Sequence, residues 1–216
     1  MSFLVVANFK SNKSLAEVTT WLETVKPTAN MVIAPSFPHL HLFSNFALAA
    51  QDVSPFPQGS YTGAVNASQL QELGVTYCIV GHAERRHYFH ETAGEIAGKI
   101  RELLAVGITP ILCLEESDIT PQFAALDEEY YLKCLYCFEP TGEIGGTVTV
   151  SLDVIEKFKA QIHRFYPEAR FMYGGSVTPD NITSLLPLNL HGVLVASASL
   201  DPAHYLSIIN QIPHEK

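Results

Sequence analysis

An ammonium, an imidazole and a carboxylate, each just past an apolar run, would suffice for acid–base chemistry on a small anionic substrate. Lys10 stands two residues after Asn8, His82 two residues before Glu84, and Glu139 directly before Pro140. A carboxylate can carry a proton between adjacent carbons, while fixed positive charge and N–H donors stabilise the anion that forms. Two turns of small residues, Gly174-Gly175-Ser176 and Ala196-Ser197, could offer backbone N–H groups to a phosphate. Gln51 and Glu115 close two further apolar runs. Alone, each feature is commonplace: a solvated lysine, a helix-start histidine, a loop carboxylate, glycines that end a strand. Their meaning depends on whether the fold brings them to one place.

The elements that must position them follow from hydrophobic patterning. Short apolar runs at 3–8, 31–35, 47–51, 77–81, 110–114, 131–139, 170–174 and 192–196 read as eight strands. Helical patterns at 15–25, 67–73, 94–106, 152–165, 180–186 and 203–211 fall between them. Strands that are apolar on both faces and alternate with helices predict a parallel sheet covered by helices. Eight such units predict a single-domain α/β fold over 1–216, a closed (β/α)8 barrel. Its 216 residues fall short of the ~250 typical of that architecture, so some units must be trimmed. The most compressed is 115–130, between strands 5 and 6, where Pro121 interrupts and leaves little room for a full helix. In such barrels the chemistry sits at the C-terminal ends of the strands, where all the candidate residues lie.

Composition excludes other classes. Hydrophobic residues make up 47% and charged residues 16%, so the chain packs a core and is not disordered. A net charge of −9 argues against nucleic acid as the main partner. No apolar run approaches the ~18 residues that span a bilayer, and the start Met-Ser-Phe-Leu-Val-Val lacks a basic leader, so no membrane association and a cytoplasmic location are expected. Cys134 and Cys137 have redox or zinc spacing, but positions three apart on a strand face opposite sides, and no second pair exists. Reduced, buried thiols are expected. Neither His39 with His41 nor His87 with His90 has a partner at ligand spacing, so no metal site is expected.

The ordered motifs resemble the triosephosphate isomerase family. They are Ala7-Asn-Phe-Lys10, Ala50-Gln-Asp-Val-Ser-Pro-Phe-Pro-Gln-Gly-Ser-Tyr-Thr-Gly63, Val80-Gly-His-Ala-Glu-Arg-Arg-His-Tyr-Phe89, Phe138-Glu-Pro140 with Ile144-Gly145, Tyr173-Gly-Gly-Ser-Val177 and Gly192-Val-Leu-Val195. The resemblance implies interconversion of dihydroxyacetone phosphate and D-glyceraldehyde 3-phosphate through an enediolate, a reaction of glycolysis and gluconeogenesis that needs no cofactor. It implies Glu139 as the base, Lys10 as the charge that neutralises the enediolate and His82 as a neutral imidazole that polarises the substrate oxygens. That histidine role is the family's own established pattern. Asn8 would donate a hydrogen bond beside Lys10, and Glu84 would be the charge partner of Lys10. The phosphate would meet the N–H groups of Gly145, Ser176, Ala196 and Ser197. Residues 139–150 would form a lid that excludes water and is latched by Tyr173 and Ser176. A homodimer through the loop tipped by Thr62 is implied as well.

The chain departs from the family pattern at several points. Ala83 stands where a serine hydroxyl would hold the base when the lid is open. The lid reads Thr141-Gly142-Glu143 without a bulky Val-Trp, and its far hinge is Thr147-Val148. Ala196-Ser197 replaces two glycines, and Ala64 replaces an acid expected to bridge subunits beside Arg85. The altered lid and Ala83 raise two alternatives to the isomerase: a barrel of this family with a phosphate-binding or regulatory role, and, through a pocket opened by the trimmed lid, an isomerase for a longer phosphorylated sugar.

Overall fold

A computed structural model describes residues 3–140 and 150–213. The stretch 141–149, with Gly145 and most of the expected lid, lies outside the described residues.

Eight parallel strands close into a barrel in chain order, β1 pairing with both β2 and β8. They are β1 Leu4–Asn8, β2 Met31–Ala34, β3 Ala47–Ala50, β4 Val75–Val80, β5 Thr109–Leu114, β6 Leu135–Phe138, β7 Arg170–Tyr173 and β8 Gly192–Val195. Alternate side chains fill the interior with Val6, Val32, Ala34, Ala49, Ile79, Ile111, Cys113, Leu135, Cys137, Met172 and Leu194. The opposite faces pack against the helices in a larger apolar layer that includes Trp21, Leu70, Ile100, Phe158 and Tyr205. Burial on both faces is why the strands read as continuous apolar runs.

The helices around the barrel are α1 Leu15–Thr24, α2 Ala67–Glu72, α3 Ala83–Tyr88, α4 Ala93–Ala105, α5 Ile119–Ala125, α6 Leu152–Phe165, α7 Ile182–Leu185, α8 Ser197–Leu200 and α9 Pro202–Asn210. Ser14 with Glu17 and Thr92 with Glu95 form reciprocal capping boxes that start α1 and α4, each satisfying N–H groups that the first turn leaves free. After β2 a 3-10 turn, Phe37–Phe43, takes the place of a full helix.

The segment between β5 and β6 is indeed short, yet it keeps α5. Pro121 is the third residue of that helix, where its missing N–H would have no intrahelical acceptor, so the helix tolerates it. The strand reading for 131–134 is corrected: Glu128–Lys133 is 3-10 helical and β6 begins at Leu135. The apolar run there includes Leu132, 58% exposed, and Tyr131, whose ring packs edge-on against Phe123 outside the barrel. Cys134 accordingly joins the outer layer and Cys137 the interior, on opposite sides as their spacing predicts. All four thiols are free and buried.

Candidate active site

The site is assembled at the C-terminal end of the barrel around the start of α3. Gly81 leaves β4 at φ +67°, a left-handed conformation suited to glycine; a Cβ there would sit 2.8 Å from Arg86 Nη2. That turn delivers His82 as the N-cap of α3. The Glu84 backbone N–H donates to His82 Nδ1 at 3.1 Å. Because Nδ1 accepts, the ring proton of the neutral imidazole sits on Nε2. Nε2 lies 3.2 Å from Glu139 Oε1, and the other carboxylate oxygen, Oε2, accepts the Ala83 backbone N–H at 3.0 Å.

Glu139 follows β6 directly, its own N–H donated to Leu114 O of β5 at 3.0 Å. It is 2% exposed, with His82 at 6% and Asn8 at 4%. A carboxylate so nearly dry needs donors, and Ala83 N–H and His82 Nε2–H supply them. On the far side of His82, Glu84 Oε1 pairs with Lys10 Nζ at 2.6 Å. Lys10, Glu84, His82 and Glu139 thus form one connected chain, each link resting on the first turn of α3. Asn8 Oδ1 accepts the Lys10 backbone N–H at 3.0 Å, and its Nδ2 has no partner among the described residues. The structure therefore gathers all five expected acid–base residues at one end of the barrel.

Of the expected phosphate ligands, Ser176 follows β7 and Ala196 and Ser197 follow the neighbouring β8, so they share the same rim. Ser176 O accepts from Asn181 Nδ2 at 2.8 Å. The turn into α8 is held from below: Ser199 Oγ donates to Ala196 O at 2.6 Å, Trp21 Nε1 to Ser199 O at 3.0 Å and Lys13 Nζ to Leu200 O at 2.7 Å. Gly145 lies outside the described residues. Among the described residues, no three His, Cys, Asp or Glu side chains converge as a metal site would require, and no helix is long and apolar enough to cross a membrane.

Three supports were not assigned from residue types. Arg86 braces α3 against the trimmed β5–β6 segment, donating to Gly81 O at 2.8 Å and to the fully buried Gln122 at 3.1 Å. Arg85 and Lys99 each pair with both Asp52 and Glu91 behind α3. Burial raises the Asp52 carboxyl above its ordinary range despite the nearby Lys99 ammonium. Gln51 bridges two backbone carbonyls beside Lys10.

Fold and site together define a (β/α)8-barrel protein equipped for acid–base chemistry at its C-terminal mouth. Comparison with known proteins narrows this. The profile of the triosephosphate isomerase family matches residues 3–212. The triosephosphate isomerase of Wolbachia sp. subsp. Brugia malayi is 34% identical over 232 aligned residues, with 98% of each chain covered. That of Polynucleobacter asymbioticus is 32% identical over 246 residues, covering 95% of this chain and 97% of its own. That of Mycoplasma pneumoniae is 33% identical over 232 residues, with 94% and 95% covered. The chain belongs to the triosephosphate isomerase family.

Proposed function

We propose that this chain interconverts dihydroxyacetone phosphate and D-glyceraldehyde 3-phosphate by proton transfer between adjacent carbons. The observation that carries the reading is the Glu139 carboxylate, almost wholly buried and held between the Ala83 N–H and His82 Nε2. Glu139 takes the proton from one carbon and returns it to the next. His82 Nε2–H turns from the carboxylate to the substrate oxygens, giving its proton to the carbonyl oxygen while the proton of the neighbouring hydroxyl returns to Nε2, and the Lys10 ammonium, poised by Glu84, offsets the charge of the enediolate. Asn8 Nδ2 donates beside Lys10. The phosphate rests on N–H groups of Gly145, Ser176, Ala196 and Ser197. Each of these steps is proton transfer or electrostatic stabilisation that side chains and backbone supply.

The same reading makes the chain a cytoplasmic homodimer joined through the loop tipped by Thr62. Phe56 and Tyr61 stack at 4.7 Å on that loop and stay about half exposed, and Tyr88 and Phe89 at the end of α3 are more exposed still. Arg85, which lacks an acid at Ala64, draws its counter-charges from Asp52 and Glu91 within its own chain. The exposed aromatic surface on that loop and at the end of α3 is what supports the dimer reading.

The test is purified full-length protein with D-glyceraldehyde 3-phosphate, the ketose product being detected by a coupled reporter. Turnover with the triose and none with four- or five-carbon sugar phosphates supports the assignment. Background turnover with retained binding of inorganic phosphate favours a binding barrel, and preference for the longer sugars favours the other alternative.

A further inference from the structure

Lys10 is one of three non-glycine residues among those described with positive φ, at +49°. A residue with a Cβ is strained there and stays only when its surroundings hold it. Both ends of this residue are held by side chains. Its N–H is donated to Asn8 Oδ1 at 3.0 Å, and its carbonyl accepts from Gln51 Nε2 at 2.9 Å. The second hydrogen of the same amide goes to Ala34 O at 2.8 Å. Gln51, just past β3, thereby ties the exit of β1 to the end of β2, with the Lys10 carbonyl fixed between them.

The direction of the lysine depends on this clamp. Relaxation of Lys10 to negative φ would turn its Cα–Cβ bond and carry the ammonium off the Glu84 carboxylate that it meets at 2.6 Å. We propose that Gln51 is a positioning residue for the Lys10 ammonium, holding the lysine backbone in its left-handed conformation through the Lys10 carbonyl. It rests on the isomerase reading but assigns Gln51 no contact with substrate.

Gln51→Met keeps length and removes both donors. Its kcat/KM falls by about 10- to 100-fold, the scale set by misplacing a charged group by about 1 Å. In a Lys10→Ala background, Gln51→Met causes no further loss, because the group it positions is gone. Retention of wild-type kcat/KM within about twofold, or an equal loss in both backgrounds, overturns the proposal. Should Gln51→Met fail to fold, Lys10→Gly restores folding, since glycine accepts positive φ without strain; failure of that rescue also overturns it. Absence of turnover in the wild type would instead sink the isomerase reading, so the two failures are distinguishable.

Discussion

Glu139 Oε2 rests on the backbone N–H of Ala83, 3.0 Å away, at the first residue of α3. The missing serine hydroxyl at position 83 therefore does not leave the carboxylate unheld, because the donor is the main chain.

That contact can be removed with little cost to the fold. Proline is favoured at the first helical position, where its lost N–H has no intrahelical acceptor. His82, at φ −53° and ψ 140°, already has the extended backbone that a following proline requires. Ala83→Pro should lower kcat/KM about tenfold or more, on the scale of a hydrogen bond to a charged group, with the melting temperature nearly unchanged. Ala83→Ser, which keeps the N–H, should stay within about threefold of wild type. Steady-state kinetics and a thermal melt on both variants decide it; equal activity of the two would remove the Ala83 N–H from the account.

Gly174 packs against the base from the next strand. A Cβ at that position would lie 2.7 Å from Cys137 Sγ and 3.2 Å from Glu139 Cγ. Gly174 is not among the positive-φ residues, so the strain of adding a side chain is steric and not conformational. Gly174→Ala should displace Glu139 and cut kcat by about tenfold or more. Adding Cys137→Ala removes the closest atom and should recover part of that loss. A double variant no faster than Gly174→Ala would show that the sulfur contact is irrelevant.

Much of this arrangement was legible in the residues, and some was not. Strands buried on both faces announce themselves as apolar runs, so all eight were found, and the residues at their C-terminal ends marked the site. The run at 131–134 misled because Tyr131 and Leu132 are apolar for reasons outside the sheet: one packs on Phe123, the other is exposed. Ala83 could be read only as a lost hydroxyl, because a backbone donor has no letter in the sequence. Gln51 was visible as a polar strand end without a role. Its partners, at residues 10 and 34, meet it only when the barrel closes.

Asp201 offers a test of the support beneath the phosphate rim. Its carboxylate caps α9, accepting the N–H groups of His204 at 3.1 Å and Ala203 at 2.7 Å, and these bonds hold its pKa below the usual carboxylate range. With the folded value depressed, the stabilisation is present above the unfolded value of about 4 and is lost as pH falls through the folded one. The difference in unfolding free energy between wild type and Asp201→Ala should be constant at neutral pH and shrink on acidification below pH 4 or so. Denaturant titrations across that range check it; a difference that persisted unchanged into acid would contradict it.

The central claim is that the Glu139 carboxylate removes the carbon-bound proton, and the most direct measurement is the kcat of Glu139→Asp with D-glyceraldehyde 3-phosphate beside wild type. Shortening the side chain by one methylene draws the oxygens back by roughly 1 Å, so kcat should fall by about 100-fold or more while KM stays within about threefold. A Glu139→Asp enzyme that kept the wild-type kcat would contradict the account.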